Sequence, residues 1–245
     1  MEIILSERTN RKDKYEVLKN LMEEIREKYS KTDVEIKNIS FNKDGWLIID
    51  VSEEKFFINT INKLTIFPLT VLNKKFLITG KIEKVENDYI KIIFPNDKGE
   101  TSTLDIKIEN LIRKIGISKI DLDNSLKEIF HIKKSSPIHI YLGREKNISY
   151  YYVNTIIDWY KKGLSAVNVN DVTITELKNI ISERNLSKVI IKIYPLTFLS
   201  YRLVLRIGAI PEVIENEIKK SFEEIGIDIV TSSFNWRKAS SIFSY

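Results

Sequence analysis

The side chains best suited to acid–base or metal chemistry in this 245-residue chain are few. His139 stands between Ile138 and Ile140, so a strand would turn its imidazole to the face opposite theirs. His131 falls at the predicted C-terminal end of a helix, where a cationic ring meets the negative end of the dipole. Zinc would accept both imidazoles, but no further ligand stands at a metal-site spacing, so no metal is expected. The absence of cysteine excludes disulfides, thiolate nucleophiles and thiolate ligands together. The carboxylate pairs Glu53-Glu54, Asp121/Asp123 and Glu223-Glu224 could supply an acid and a base. Each lies at a predicted helix start or on a polar helix face, where acidic residues cap and solubilise.

Glycine patterns add little. There is no phosphate loop, nucleophile elbow or dinucleotide fingerprint. Gly208, in Arg206-Ile207-Gly208-Ala209, precedes a helix whose first amides could hold an anion, and a plain loop accounts for it equally. No catalytic residue and no cofactor are expected. The pattern favours binding over catalysis, with an enzyme as the third alternative.

The composition is that of a folded chain, 43% hydrophobic and 30% charged. Lysine outnumbers arginine roughly three to one, a mix that resembles an AT-rich thermophile. The net charge is +5, made up of −1 over residues 1–68, +3 over 69–120 and +3 over 121–245. Such an excess permits a nucleic-acid partner without requiring one. No apolar run approaches the ~18–20 residues of a membrane helix, and a cytoplasmic location without a membrane partner is expected.

The elements that must position these side chains fall into three groups. Residues 1–68 read as β-α-β-β-α-β, a ferredoxin-like α/β module. Tyr15, Leu18, Met22, Ile25 and Tyr29 are placed on one helical face by their spacing. The skip between Ile36 and Ile39 points to a bulge or to a different register, Asn42–Gly45 predicts a turn, and Leu64–Phe67 a closing strand. Residues 69–153 carry three strands, a helical stretch and a hairpin, the order of an OB/S1-like barrel. Gly80 interrupts its first strand, and Asn147–Val153 is predicted as its last. Residues 154–231 repeat β-α-β-β-α-β as a C-terminal ferredoxin-like module. Here Thr173 and Glu176 form a capping box, Pro211 and Gly226 frame the second helix, and Ile227–Val230 is the final strand. The predicted fold class is α+β throughout, followed by an aromatic and basic tail, 232–245.

Candidate binding residues follow from strand alternation. In the third module one face would collect Asn168, Asn170, Lys192, Tyr194, Arg202 and Arg206. If helices cover the other side, this open basic face suits single-stranded RNA, and equally a solvated face or a subunit interface. On the barrel, Tyr89, Tyr141, Tyr150 and Tyr152, with basic pairs such as Lys74-Lys75 and Lys133-Lys134, could line a phosphate-tracking groove. In the tail, Trp236, Arg237 and Lys238 accompany Phe234, Phe243 and Tyr245, a set that would either pack on the protein's own body or dock on a protein partner.

At this point the chain resembles an archaeal family, domain of unknown function 2110. Trp159 in a helix, the strand Val167-Asn168-Val169-Asn170, and the helix entry Thr173–Glu176 carry the resemblance, together with the order of modules. It implies an archaeal source and a nucleic-acid link through an S1-like barrel, and it supplies no catalytic residues. Gly80-Lys81-Ile82 approximates the opening strand of an S1 domain, while Asn87-Asp88-Tyr89 departs from its glycine-rich second strand. The leading expectation is a non-enzymatic RNA- or ribonucleoprotein-binding factor associated with ribosome or transcription machinery. A protein-interaction adaptor without nucleic-acid affinity is the alternative.

Overall fold

The computed structural model describes residues 1–29, 34–69, 77–86, 88–115, 132–143 and 146–237. It is a mixed α+β protein with antiparallel sheets. The first group comprises β1 (Glu2–Arg8), α1 (Lys14–Tyr29), β2 (Ile36–Phe41), β3 (Trp46–Val51) and α2 (Glu54–Leu64), with its strands ordered β1-β3-β2. The bulge in β2 falls between Ile36 and Asn38, where the spacing puts it. Gly45 takes φ +84° in the turn, and a side chain there would press against the Thr9 carbonyl 2.6 Å away.

Two expectations fail in this group. In α1, Leu18, Met22 and Ile25 of the expected face do pack on the first core, centred on a stripe of Val17, Leu21 and Ile25, but Tyr15 is exposed. The aliphatic side chains sit on the sheet and the phenol turns to water. Leu64–Phe67 adds no strand to the first sheet. Instead the Ile66 and Phe67 amides donate to the carbonyls of Pro195 and Leu196, which ties the segment to the third group.

The second group holds β4 (Leu77–Val85), β5 (Tyr89–Pro95), β6 (Thr101–Lys107), α3 (Ile108–Ile115), β7 (Pro137–Tyr141) and β8 (Asn147–Ile148). Its sheet order is β6-β5-β4-β7-β8. Ile82, Ile90, Ile92, Ile106, Ile138 and Ile140 alternate into one core. Gly80 lets β5 cross closely, since a Cβ there would lie 2.5 Å from the Ile92 side chain. The predicted last strand is cut short at Ile148. Ser149 accepts from the Tyr152 amide at 3.1 Å and caps a helix, α4 (Tyr150–Lys161). The tyrosine run is therefore helical.

The third group contains β9 (Ala166–Asn170), α5 (Ile174–Glu183), β10 (Ile190–Thr197), β11 (Ser200–Leu205), α6 (Pro211–Glu224) and β12 (Val230–Phe234), in sheet order β10-β11-β9-β12. The Thr173–Glu176 capping box forms. The final strand is displaced from the expected Ile227–Val230, because Val230–Phe234 pairs with β9 along its length. One sheet face packs under α5 and α6 through Val167, Val169, Tyr201, Leu203 and Leu205. The other face meets the second group, whose core includes Leu196 and Phe234 and touches Trp159 and Trp236. No helix among the described residues is long and apolar enough to cross a membrane.

Ionic contacts close the junction of the three groups. Glu7 on β1 is fully buried, and its Oε1 lies 2.5 Å from Lys81 Nζ on β4. Its Oε2 accepts from the Leu199 amide at 3.0 Å, where Phe198 and Leu199 plug the first core. Nearby, Arg11 forms ion pairs with Asp13 and with Glu176 of α5. Removing one partner of a buried pair strands the other charge. Glu7→Gln should therefore cost about 3–5 kcal/mol in denaturant unfolding, and Glu7→Gln/Lys81→Met should recover part of it. A double variant no more stable than the single one would show that the pair's charge is not what Glu7 contributes.

Candidate functional site

The outer face of β4, β5 and β6 carries lysines from all three strands. With Ile90, Ile92, Leu104 and Ile106 turned into the core, Tyr89, Lys91 and Lys107 face outward. A register shift between Ile82 and Lys84 brings Lys84 opposite Lys91, so two cations sit side by side. Tyr89 pairs with Lys107 across the ladder. Its hydroxyl donates to Glu86, which raises the phenol pKa, and Glu86 also pairs with Lys84. Asp105, opposite Lys91, is the acidic residue within this stretch of β6.

At one end the face runs into a groove of about 470 Å³ at the junction of the three groups. Arg8 from β1, Lys81 and Lys84 from β4, Lys91 from β5, and Lys134 before β7 set five cations against Glu83 and Asp171. Arg8 is held in place, its Nε donating to the Asp44 carbonyl at 2.7 Å and its guanidinium 5.6 Å from the Trp46 ring. Asp171 takes φ +64° at the start of the β9–α5 connection. Burial raises its carboxyl pKa, opposed by Lys81, by a hydrogen bond from Thr9 and by Arg11. Such a surface offers donors and positive charge to a polyanion, and one aromatic ring for stacking.

The sequence-predicted residues scatter over several places. Tyr89 lies on this face. Lys74, Lys75 and Lys238 lie outside the described residues. The expected open face of the third sheet is covered: Asn168, Asn170 and Arg202 are buried. Asn168, Asn170 and Arg202 do face away from the helices, but the second group packs on that side. Asn170 Nδ2 donates to Ser136 Oγ at 3.3 Å, and the Arg202 guanidinium lies 4.3 Å from the Trp159 ring. Lys192 stays exposed, 4.6 Å above the Tyr194 ring. Arg206 and Arg237 line a separate cleft of about 110 Å³ with Gly208, Pro211 and Trp236. Tyr150 is exposed in the first turn of α4, whereas Tyr152 is buried. Tyr141 packs over Gly143, where any side chain would collide with its ring. Phe234 is buried in β12, and Trp236 is partly buried against the same core, so both of these tail aromatics pack on the protein's own body.

Sequence reasoning missed Lys84, Lys91 and Lys107. The alternation Tyr89-x-Lys91-x-Ile93 carries the signal for one strand, while Arg8 and Asp171 arrive from other groups and leave no local trace. Among the described residues, no three of His, Asp and Glu converge as metal ligands.

His139 behaves as a buried structural side chain. Its Nδ1 lies 2.9 Å from Ser149 Oγ, the Tyr151 ring stands edge-on at 5.7 Å, and desolvation pushes its pKa down to about 4. The unfolded chain takes up a proton near pH 6.5 that the native state refuses. Stability from this site is complete above that pH and falls as pH drops from about 6.5 to 4, by roughly 3 kcal/mol in all. Urea midpoints across that window should show the loss, and His139→Gln should flatten it. An unchanged slope would assign the acid sensitivity to another group.

No protein-family model, no curated protein and no solved structure matches this chain.

Proposed function

We propose that the protein is a non-enzymatic RNA- or ribonucleoprotein-binding factor, tied to translation or transcription machinery. The observation that carries this is the run Tyr89, Lys107, Lys91 and Lys84 leading into a groove lined by Arg8, Lys81 and Lys134. Lysines spaced along antiparallel strands can follow a phosphate backbone, and a tyrosine beside them gives one base a stacking platform. The second group is read as an OB/S1-like module, because β6-β5-β4-β7-β8 is the order of such a barrel opened between its third and fifth strands. The third is read as ferredoxin-like from its βαββαβ chain order, and the first as a relative of it. Kinship with the archaeal family of unknown function 2110 is part of the same reading. Trp159 and Asn168, which carry that resemblance, both contact Arg202.

A second reading, a protein adaptor, is favoured by one observation. Ile207, Ile210 and Val213 are all exposed around the first turn of α6, Ile207 at 78%. Isolated exposed aliphatics are ordinary, but a local trio suits a protein contact.

A fluorescent single-stranded RNA titrated at two salt concentrations tests the first reading. Binding should weaken with salt, by a log–log slope of about 0.7 for each phosphate contacted. Lys84→Glu/Lys91→Glu should weaken it at least about tenfold and lower that slope, with little change in Tm because both side chains lie at the surface. Undiminished binding by the variant would move the contact off this face. No binding by either protein at low salt would leave the adaptor reading.

A further inference from the structure

The third sheet borders another, small pocket between α4, β10 and β11. Its volume is about 90 Å³, and it shares no lining residue with the basic groove. The walls are the ring of Trp159 and the aliphatic side chains of Leu164, Ala166, Ile191 and Val204. The polar groups are Lys162, Lys192, Tyr194 and Arg202, so the lining brings three cations and no carboxylate.

Arg202 is the side chain that makes this more than a crevice. It is 2% exposed, and its guanidinium lies 4.3 Å from the Trp159 ring and 5.4 Å from the Phe234 ring. Asn168 Oδ1 accepts from one of its terminal nitrogens at 3.3 Å. Rings and amide together fix the plane of the fork before any ligand arrives. Desolvation lowers its pKa to about 9, which still leaves it cationic at neutral pH. Lys162 and Lys192 are exposed at the rim, where they can meet a charge that the floor attracts.

We propose that this pocket binds a small monocarboxylate with a branched apolar body, its carboxylate on Arg202 and its hydrocarbon against Leu164, Ile191 and Val204. The planar fork matches a carboxylate better than a point charge does. A phosphate has oxygens on every side, and the aliphatic walls would leave several of them dry and unbonded. The same chemistry has two sources, a free acid or the last residue of a chain ending in leucine or valine.

Backbone and indole ¹H–¹⁵N spectra of the full chain, recorded during titration with isovalerate at constant ionic strength, test this. Saturable shifts are expected at the Trp159 indole and at the Ile191–Tyr194 amides. Isovaleramide, the neutral isostere, should bind about tenfold more weakly or worse. Inorganic phosphate should leave those signals in place. N-acetylglycyl-leucine binding more tightly than isovalerate at these signals would support the site and assign it to a chain end; weaker binding would assign it to a free acid. Arg202→Lys keeps the charge but loses the fork, and should reduce affinity about tenfold. Should that buried substitution unfold the protein, Lys192→Gln at the exposed rim should still weaken binding about threefold with Tm unchanged. Equal binding of acid and amide would reduce the pocket to a hydrophobic dent and overturn the proposal. So would equal binding of phosphate, or shifts scattered over the surface.

Discussion

One buried carboxylate fixes how the three groups meet. Glu7 spends Oε1 on Lys81 of the second group and Oε2 on the Leu199 amide of the third, so each group's placement constrains the others. Charges this deep carry a large desolvation cost, and only close, well-aligned partners offset it. The contact therefore tolerates little sliding. Its consequences reach the surface through strand parity: because Glu7 points inward, Arg8 points the other way and joins the groove wall. Lys81 performs the same office from β4, buried against Glu7 while still bordering the groove.

Local pattern gave the strands their faces, but it could not say which faces meet water. Tyr201, Leu203 and Leu205 alternate into the helical side as the spacing requires, and Arg202 is turned away from it. Whether that second side is open depends on another sheet, more than forty positions away in sequence, packing over it. The same blindness explains the tail. Thr231-Ser232-Ser233 has the composition of a loop, yet it is held in the ladder by β9, and Phe234 is drawn into a core built by residues 67–156. Hydroxyl side chains are accepted there because they find partners, as Thr231 Oγ1 does in donating to Glu215.

Where a single residue decides a boundary, the decision is legible afterwards and weak beforehand. A run of three tyrosines reads as a strand by propensity. Ser149 overrides it by capping, since a serine acceptor at the right step satisfies an amide that a helix start would leave orphaned. By contrast, the Thr173–Glu176 box was readable because both reciprocal bonds are encoded in the spacing itself. The basic face lies between these cases. Tyr89 and Lys91 follow from alternation, but Lys84 joins them only because a bulge shifts the register by one.

The two cationic sites differ in dielectric setting more than in residue type. Along β4–β6 the lysines are open, and several of them pair with carboxylates on the same surface, as Lys84 does with Glu86. Each such charge is screened by salt and contributes little alone, so useful affinity there needs a partner that engages many at once. Around Arg202 the opposite holds. The guanidinium is enclosed by aromatic rings, salt cannot reach it well, and one charge–charge contact is felt strongly. A long flexible polyanion gains from the first arrangement and cannot enter the second. A compact monoanion gains from the second and has too few charges to profit from the first. The distribution of burial, and not the count of lysines and arginines, is what separates the ligands these two surfaces can hold.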